Sequence, residues 1–531
     1  MDIPLILSGN FAELRGSHFH AGLDLKTKGR QGFAVKSILA GSIRRIRVSV
    51  SGYGKALYID HDDGTTSVYA HLQKFSPRVE KIIKEKQYQK ERFLIQSYFK
   101  LNELNVKQGE IIGYSGNTGG SLGPHLHFEL RNTKAQTPLN PLRLDFNIKD
   151  TQRPIIQDLY WYNLNGLKQK EKINLVQKND STFITANLSL SGKIGLGIRM
   201  FDRQDFSYNK NGVYKVTLRL NGKKMIQYTM DHISFDDGNY ISTLIDYATY
   251  VNKGIRIQKL FRDLPYGFSF LPIEAANGIL DLEVGRSYEL KIILEDYHGN
   301  KTFVESYIEG REQIVNKNSK PKKNNDNIVI PKLDYLFEFE GKELYLPKNT
   351  FFEAIDFKVR AIKDSIIIDS YEYALQNPFT IEFDIPKIDS LRINPWGIAR
   401  LDKKGKPKYV YSKLVEGKLI TKGGTSGTYV LIQDTLAPVI TPLNFKSKQW
   451  LSNYSLLKLK VEDDFSGVKK YKGTINGKWI LLEHEPKNKT LIYNFDDLEF
   501  KRAQLDFKLE VEDQQGNQSF YETTLFRKPK K

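Results

Sequence analysis

Along most of the chain, apolar and polar residues alternate in short runs broken by Asn-Gly, Asp-Gly and Gly-Asn pairs. A period of two is what a β-strand with one buried face produces. Near the start, Phe19, Ala21, Leu23 and Leu25 fall on one predicted face, and His20, Gly22 and Asp24 on the other. Tyr58-Ile59-Asp60 leads through Asp62-Asp63-Gly64 into Val68-Tyr69-Ala70-His71-Leu72, which reads as a hairpin. In its second strand Tyr69 and His71 are expected to face away from Ala70 and Leu72. A further run places His125, His127 and Glu129 opposite Leu126, Phe128 and Leu130. Helical spacing is rarer. Ser76-Pro77-Arg78-Val79-Glu80 supplies the N-cap, proline and acid of a helix start, and Val79, Ile82 and Ile83 continue it to about Gln89. This predicts a helical insertion over about 76–90, then a β-like stretch from Arg92 to Phe99. Such an insertion reads either as a wall beside a substrate groove or as packing on a sheet edge.

Composition narrows the class. At ~150 residues per domain, 531 residues make about three to four domains. Hydrophobic residues at 40% are ample for packed cores. With no cysteine, disulfides, thiolate metal sites and cysteine nucleophiles are excluded, so any metal chemistry rests on His, Asp or Glu. No apolar run approaches the ~18 residues of a membrane span, and the first residues lack the basic and apolar regions of a signal peptide. The net charge of +18 fits a polyanionic neighbourhood or a Lys-rich solvated surface. No nucleic-acid-binding motif accompanies it, so nucleic acid is not expected as a partner.

Six of the nine histidines (His18, His20, His61, His71, His125, His127) precede residue 150. His61, beside a turn of acids, is expected to be exposed. His232, His298 and His484 stand alone and are expected to be surface or structural residues. Three predicted strands thus each present His or Asp from a polar face. Two imidazoles and one carboxylate plus water make the open tetrahedral site of a catalytic zinc. The spare imidazoles would then serve as proton carriers or oxyanion donors. Spacing leaves open which of His125 and His127 is the ligand.

His20-Ala21-Gly22-Leu23-Asp24, Tyr69-Ala70-His71-Leu72 and His125-Leu126-His127, in this order, resemble the three signatures of lysostaphin/LytM-type zinc endopeptidases, which cut peptidoglycan peptides. Gly52-Tyr53-Gly54 and the run Gly109 to Gly119 support the resemblance, which covers about residues 3–145. It implies one zinc ion per chain held by His20, Asp24 and His127, with His71 and His125 as catalytic histidines. It also implies a peptidoglycan substrate and a periplasmic or secreted location, where anionic envelope polymers would be further partners. Some relatives with this fold have lost ligands and act as activators. The alternative function is therefore a non-catalytic peptidoglycan-binding scaffold or an activator of another cell-wall hydrolase.

After residue 150 an internal repeat appears. Asp150-Thr151-Gln152-Arg153-Pro154-Ile155 recurs as Asp434-Thr435-Leu436-Ala437-Pro438-Val439. Asp205-Phe206-Ser207 recurs as Asp464-Phe465-Ser466, and Glu295-Asp296-Tyr297-His298-Gly299-Asn300 as Glu512-Asp513-Gln514-Gln515-Gly516-Asn517. The repeated units resemble bacterial Ig-like modules, which implies β-sandwiches. The expected fold is mainly β: an antiparallel β metallopeptidase domain with a short helical insertion, then about three Ig-like β-sandwich modules. The expected boundaries are 1–149, 150–312, a linker at 313–327, 328–433 and 434–531.

Overall fold

The computed structural model describes residues 1–165, 169–273, 275–312, 327–385 and 395–529. The linker expected at 313–327 lies, but for its last residue, outside the described residues. The N-terminal region is built on the strands β1 (Leu7–Gly9), β2 (Leu23–Lys26), β3 (Ala34–Lys36), β4 (Gly41–Val48), β5 (Lys55–Asp60) and β6 (Thr65–Leu72). It continues with β7 (Lys74–Phe75), α1 (Pro77–Gln89), β8 (Ile95–Tyr98), β9 (Asn105–Val106), β10 (Ile111–Tyr114), β11 (His125–Asn132) and β12 (Pro138–Leu139). A nine-stranded sheet runs β1-β2-β11-β6-β5-β4-β8, with β12 against β11 and β9 against β4; β3-β10-β7 form a small second sheet. Leu23, Leu25, Ile43, Ile46, Leu57, Ile59, Tyr69, Leu126 and Phe128 fill the core beneath the large sheet. Alternation then sends His125, His127 and Glu129 to the opposite face.

The register places His127 of β11 opposite Asp24 of β2 on one side and Ala70 of β6 on the other. Here strict alternation fails. Tyr69 pairs with Phe128 and packs in the core with Leu72, so it does not share a face with His71. The cause is a bulge: Leu57 pairs with Tyr69 and Lys55 with Leu72, leaving Ala70 and His71 opposite Ala56 alone. His71 takes a positive φ of 57°, rare for a residue with a Cβ, and its N–H donates to the Tyr53 carbonyl (2.9 Å). The first signature also differs, since β2 begins only at Leu23 and His20 approaches in an irregular segment.

The expected helix is α1, with Ser76 at its N-cap, Pro77 in its first turn and Val79 and Ile83 buried. It packs on the C-terminal module. Tyr88 meets Trp479 edge to face (5.2 Å) and Lys84 pairs with Asp497 (2.5 Å).

Later residues form pairs of β-sheets. Five- and seven-stranded sheets are built around Gly192–Phe201 and Ser287–Glu295, followed by two five-stranded and then two four-stranded sheets. One contiguous apolar cluster runs from Leu7 to Ile308, across residue 150. Separate clusters fill Val329 to Tyr429 and Phe445 to Leu525. The chain is mainly β, with an N-terminal domain built on the nine-stranded sheet and further β-sheet domains after it. Among the described residues no helix is long and apolar enough to cross a membrane.

Candidate metal centre

Three side chains from two adjacent strands and the segment before them point at one spot. His20 Nε2 and His127 Nδ1 lie 3.0 Å apart, and Asp24 Oδ1 lies 3.0 Å from the first and 2.9 Å from the second. All three side chains are buried. The other ring nitrogen of each imidazole is engaged. His20 Nδ1 donates to the Asn10 carbonyl (2.7 Å) and His127 Nε2 to the Glu129 carboxylate (2.8 Å). The two nitrogens facing Asp24 are therefore free to present lone pairs, and with the carboxylate oxygen they converge on one point that positive charge, a metal ion or a shared proton, must occupy. Tetrahedral zinc with ~2.0–2.1 Å bonds spaces its ligand atoms by roughly 3.3 Å, close to the spacing here. The donor set thus fits zinc.

Electrostatics carry the same demand for positive charge. Burial acts against an imidazolium at His127, yet hydrogen bonds to Asp24 and Glu129 hold it up to about 9. Asp24 stays far below the usual carboxylate range: burial opposes ionisation but is outweighed by hydrogen bonds from His125, His127 and His20. The second oxygen of Asp24 accepts from Arg15 Nη2 (2.8 Å).

The remaining two histidines stand at the mouth. The His125 ring is the most exposed of the site imidazoles, and its Nε2 reaches to 3.4 Å from Asp24 Oδ1. Its centroid is 4.8 Å from that of His71, which in turn is 5.8 Å from His127. His71 Nδ1 donates to the Thr118 carbonyl and His125 Nδ1 to that of Gly123, each at 2.8 Å. In both rings Nε2 is left for chemistry. Burial, followed by repulsion from His127 and His125, lowers His71 to about 3, so it is a neutral base. His20, Asp24, His71, His125 and His127, all named from the sequence, come together.

His61 does not have the exposure expected of it. It is buried, with Nδ1 on the Ala40 carbonyl (2.8 Å) and Nε2 on Ser67 Oγ (2.7 Å), because the hairpin folds it back over β4. Conversely, the sequence reading left Glu129 without a role. Its fully buried carboxylate binds His127, Arg131 Nε (2.7 Å) and the Tyr53 hydroxyl, and Tyr53 stacks on the His127 ring (5.4 Å, 26°). Alternation with His127 was the signal available for Glu129. Arg15 and Asn10 sit in irregular backbone and left none.

Other modules border the site. Phe19 packs edge-on against Phe268 and Phe270 (6.2 and 5.3 Å), and Arg131 lies over the Phe235 ring (4.8 Å). Lys487 of the C-terminal module donates to the carbonyls of Asn117 and Ser121 in the loop that supports His71 and His125.

Residues 18–88 and 93–141 match the family model described as Peptidase family M23. A DD-carboxypeptidase/endopeptidase, Mpg, of Neisseria meningitidis serogroup B is 35% identical over 123 residues, covering 23% of this chain and 22% of the relative. An uncharacterized metalloprotease of Haemophilus influenzae is 31% identical over 121 residues, covering 23% and 20%. Among solved structures, the catalytic domain of lysostaphin from Staphylococcus simulans is 28% identical, covering 26% of this chain and 90% of that one at a TM-score of 0.20. The N-terminal domain of this chain is a Peptidase family M23 domain of the LytM/lysostaphin kind. The matched region spans about a fifth of the length of these curated relatives.

Proposed function

We propose that this protein is a zinc-dependent endopeptidase that hydrolyses peptide bonds in peptidoglycan stem peptides or cross-links, acting in the periplasm or outside the cell. The observation that carries the reading is the convergence of two imidazole nitrogens and one carboxylate oxygen on a single point. The name of the meningococcal relative, a DD-carboxypeptidase/endopeptidase, supports the choice of a peptide bond. Charge of +18 suits an anionic envelope, whose polymers are proposed as further contacts. The four-stranded sheets of the last module, ordered Val439–Pro442, Leu456–Glu462, Thr490–Asn494, Leu482–Glu485 and Lys478–Trp479, Val468–Ile475, Gln504–Asp513, Gln518–Phe526, support an Ig-like reading of the β modules.

His20, Asp24 and His127 would hold one zinc ion. When bound, zinc polarises a scissile carbonyl and lowers the pKa of a water toward ~7. The protein supplies the rest. Asn10 and Glu129 fix the ligand tautomers, and Arg15 holds Asp24 in its rotamer. His71, kept neutral, accepts a proton at Nε2 and returns it to the leaving amine, and His125 at the mouth, when protonated at Nε2, donates to the developing oxyanion.

The test is a pair of variants assayed for zinc content and for products released from purified cross-linked peptidoglycan. His20→Ala is expected to lose zinc and activity together, whereas His71→Ala keeps zinc but loses at least 10²-fold in turnover. A wild-type protein that binds no zinc and releases no peptide would instead be a scaffold or activator.

A further inference from the structure

The internal repeat of the sequence is also a repeat of structure. Asn300 donates its backbone N–H to Asp296 Oδ1 (2.8 Å) and its amide to Asp296 Oδ2 (2.6 Å) and the Asp150 carbonyl (3.2 Å). Asn517 makes the same three bonds, to Asp513 Oδ1 (2.9 Å), Asp513 Oδ2 (2.7 Å) and the Asp434 carbonyl (3.1 Å). In each copy three segments meet. They are the incoming chain (Asp150, Asp434), the turn after a core strand (Asp202, Asp463) and the hairpin between the last two strands (Asp296, Asp513).

Acids crowd at both meeting points. Asp434, Asp463 and Asp513 each bring an oxygen within 4.8 Å of the others, and Asp150, Asp296 and His298 do likewise with a ring nitrogen. Among the described residues no lysine or arginine forms an ion pair with any of these acids or with Asp202; Asp150 has only His298 Nδ1 at 3.9 Å.

The second, independent observation is a set of buried oxygens with no hydrogen-bond partner. Asp434 is 3% exposed and its Oδ2 has no hydrogen bond of ordinary geometry, with the Ser466 hydroxyl as its nearest donor, and Asp463 Oδ1 is also unpartnered. In the other copy Asp202, 5% exposed, and Asn211, 4% exposed, each leave Oδ1 unpartnered. Asp150, Asp202, Asn211 and His298 border one cavity of about 20 Å³, room for a single ion or water. Burial, then repulsion from Asp150 and Asp296, pushes the Asp202 carboxyl up to about 9. Buried acceptors without donors, surrounded by like charge, are costly unless a cation joins them.

We propose that each copy of the repeat binds one divalent cation, and that the cation is calcium. Oxygen donors select a hard cation, and Ca–O distances of ~2.3–2.6 Å allow ligand oxygens up to about 4.8 Å apart across the ion. The first site is Asp150, Asp296 and His298, with the Asp202 carboxyl bordering the cavity it shares with Asp150 and His298; the second is Asp434, Asp463 and Asp513. Each ion ties the incoming segment to its module. At the second site the segment is also a junction, since Asp434 N–H donates to the Pro395 carbonyl (2.7 Å) and Phe465 packs edge-on against Tyr409 (5.5 Å). Calcium there would stiffen the joint between the last two modules.

The experiment is equilibrium dialysis of the full chain, stripped with a calcium-selective chelator and reloaded with zinc, against radioactive calcium. The wild type is expected to take up two calcium ions per chain, and Asp202→Asn and Asp434→Asn one each, with zinc content unchanged. Asp463→Asn, at a half-buried position, repeats the second loss if Asp434→Asn fails to fold. A wild type that takes up no calcium at millimolar concentration overturns the proposal, as do variants that retain two ions. A loss seen in only one variant overturns it for the other copy.

Discussion

Glu129 touches no ligand atom of the proposed metal directly, yet it decides which nitrogen of His127 is bare. Its carboxylate takes the Nε2 proton and is itself held by Arg131 and Tyr53, so the imidazole is fixed in both tautomer and rotation. Arg131 and His127 bring its acidity to about 2, against the effect of complete burial. Glu129→Gln keeps the shape but weakens the acceptor. We expect zinc affinity to fall ~10–100-fold, with the fold retained. Competition with a chromophoric chelator measures this directly, and an unchanged affinity would mean that Glu129 only packs. Arg15 poses the complementary case: Arg15→Met would release Asp24 Oδ2 and free a carboxylate to rotate. How far such residues can be read from sequence depends on their backbone. The five residues of the proposed site were legible as a converging set because they fall in short signatures, and Glu129 was at least on a visible face. His298 was not: its partner Asp150 lies far away in the chain and meets it only through the module fold.

At the level of elements, the proposed proton carriers are set by irregularities that alternation does not encode. The bulge at Ala70 and His71 turns His71 onto the metal side, while Thr118 receives its Nδ1 proton. That carbonyl is placed by a backbone-to-backbone contact between the two glycine-rich loops. Gly119 has φ 74°, and a Cβ there would lie 2.3 Å from Gly54 N; at Gly54, φ 63°, it would lie 2.4 Å from Thr118 Oγ1. Gly119→Ala must therefore move the loop. Strain of ~1–2 kcal/mol from the positive φ alone is expected to lower the melting temperature by a few degrees. Turnover should fall by a larger factor than zinc content, since His71 moves and the ligands do not. Calorimetry beside kcat separates the two, and a parallel loss of zinc would contradict this account. The strands themselves were legible as period-two runs. Their register, and hence the pairing of Asp24, His127 and Ala70 across three strands, was not, because it depends on contacts between residues far apart in the chain.

On the scale of the whole molecule, the chain returns upon itself. The helical insertion, which the sequence left as groove wall or packing, is a dock for the last module through Tyr88–Trp479 and Lys84–Asp497. The same module sends Lys487 from the turn after Leu482–Glu485 to the carbonyls of Asn117 and Ser121. The loop it reaches also carries Thr118 and Gly123, whose carbonyls orient His71 and His125. The last module therefore braces the proposed catalytic histidines from outside the peptidase domain. A hydrogen bond from a charged donor contributes ~1.5–3 kcal/mol, so its loss is expected to loosen the loop by about a factor of ten or more. Lys487→Ala should keep full zinc content, exchange the amides of residues 116–124 faster, and release peptides from cross-linked peptidoglycan about tenfold more slowly. A variant that cleaves faster than the wild type would reverse the reading, making the module a brake on the site. Trp479→Ala weakens the same dock at the far end of the contact and should act in the same direction as Lys487→Ala, which distinguishes loss of the dock from a local effect of the lysine.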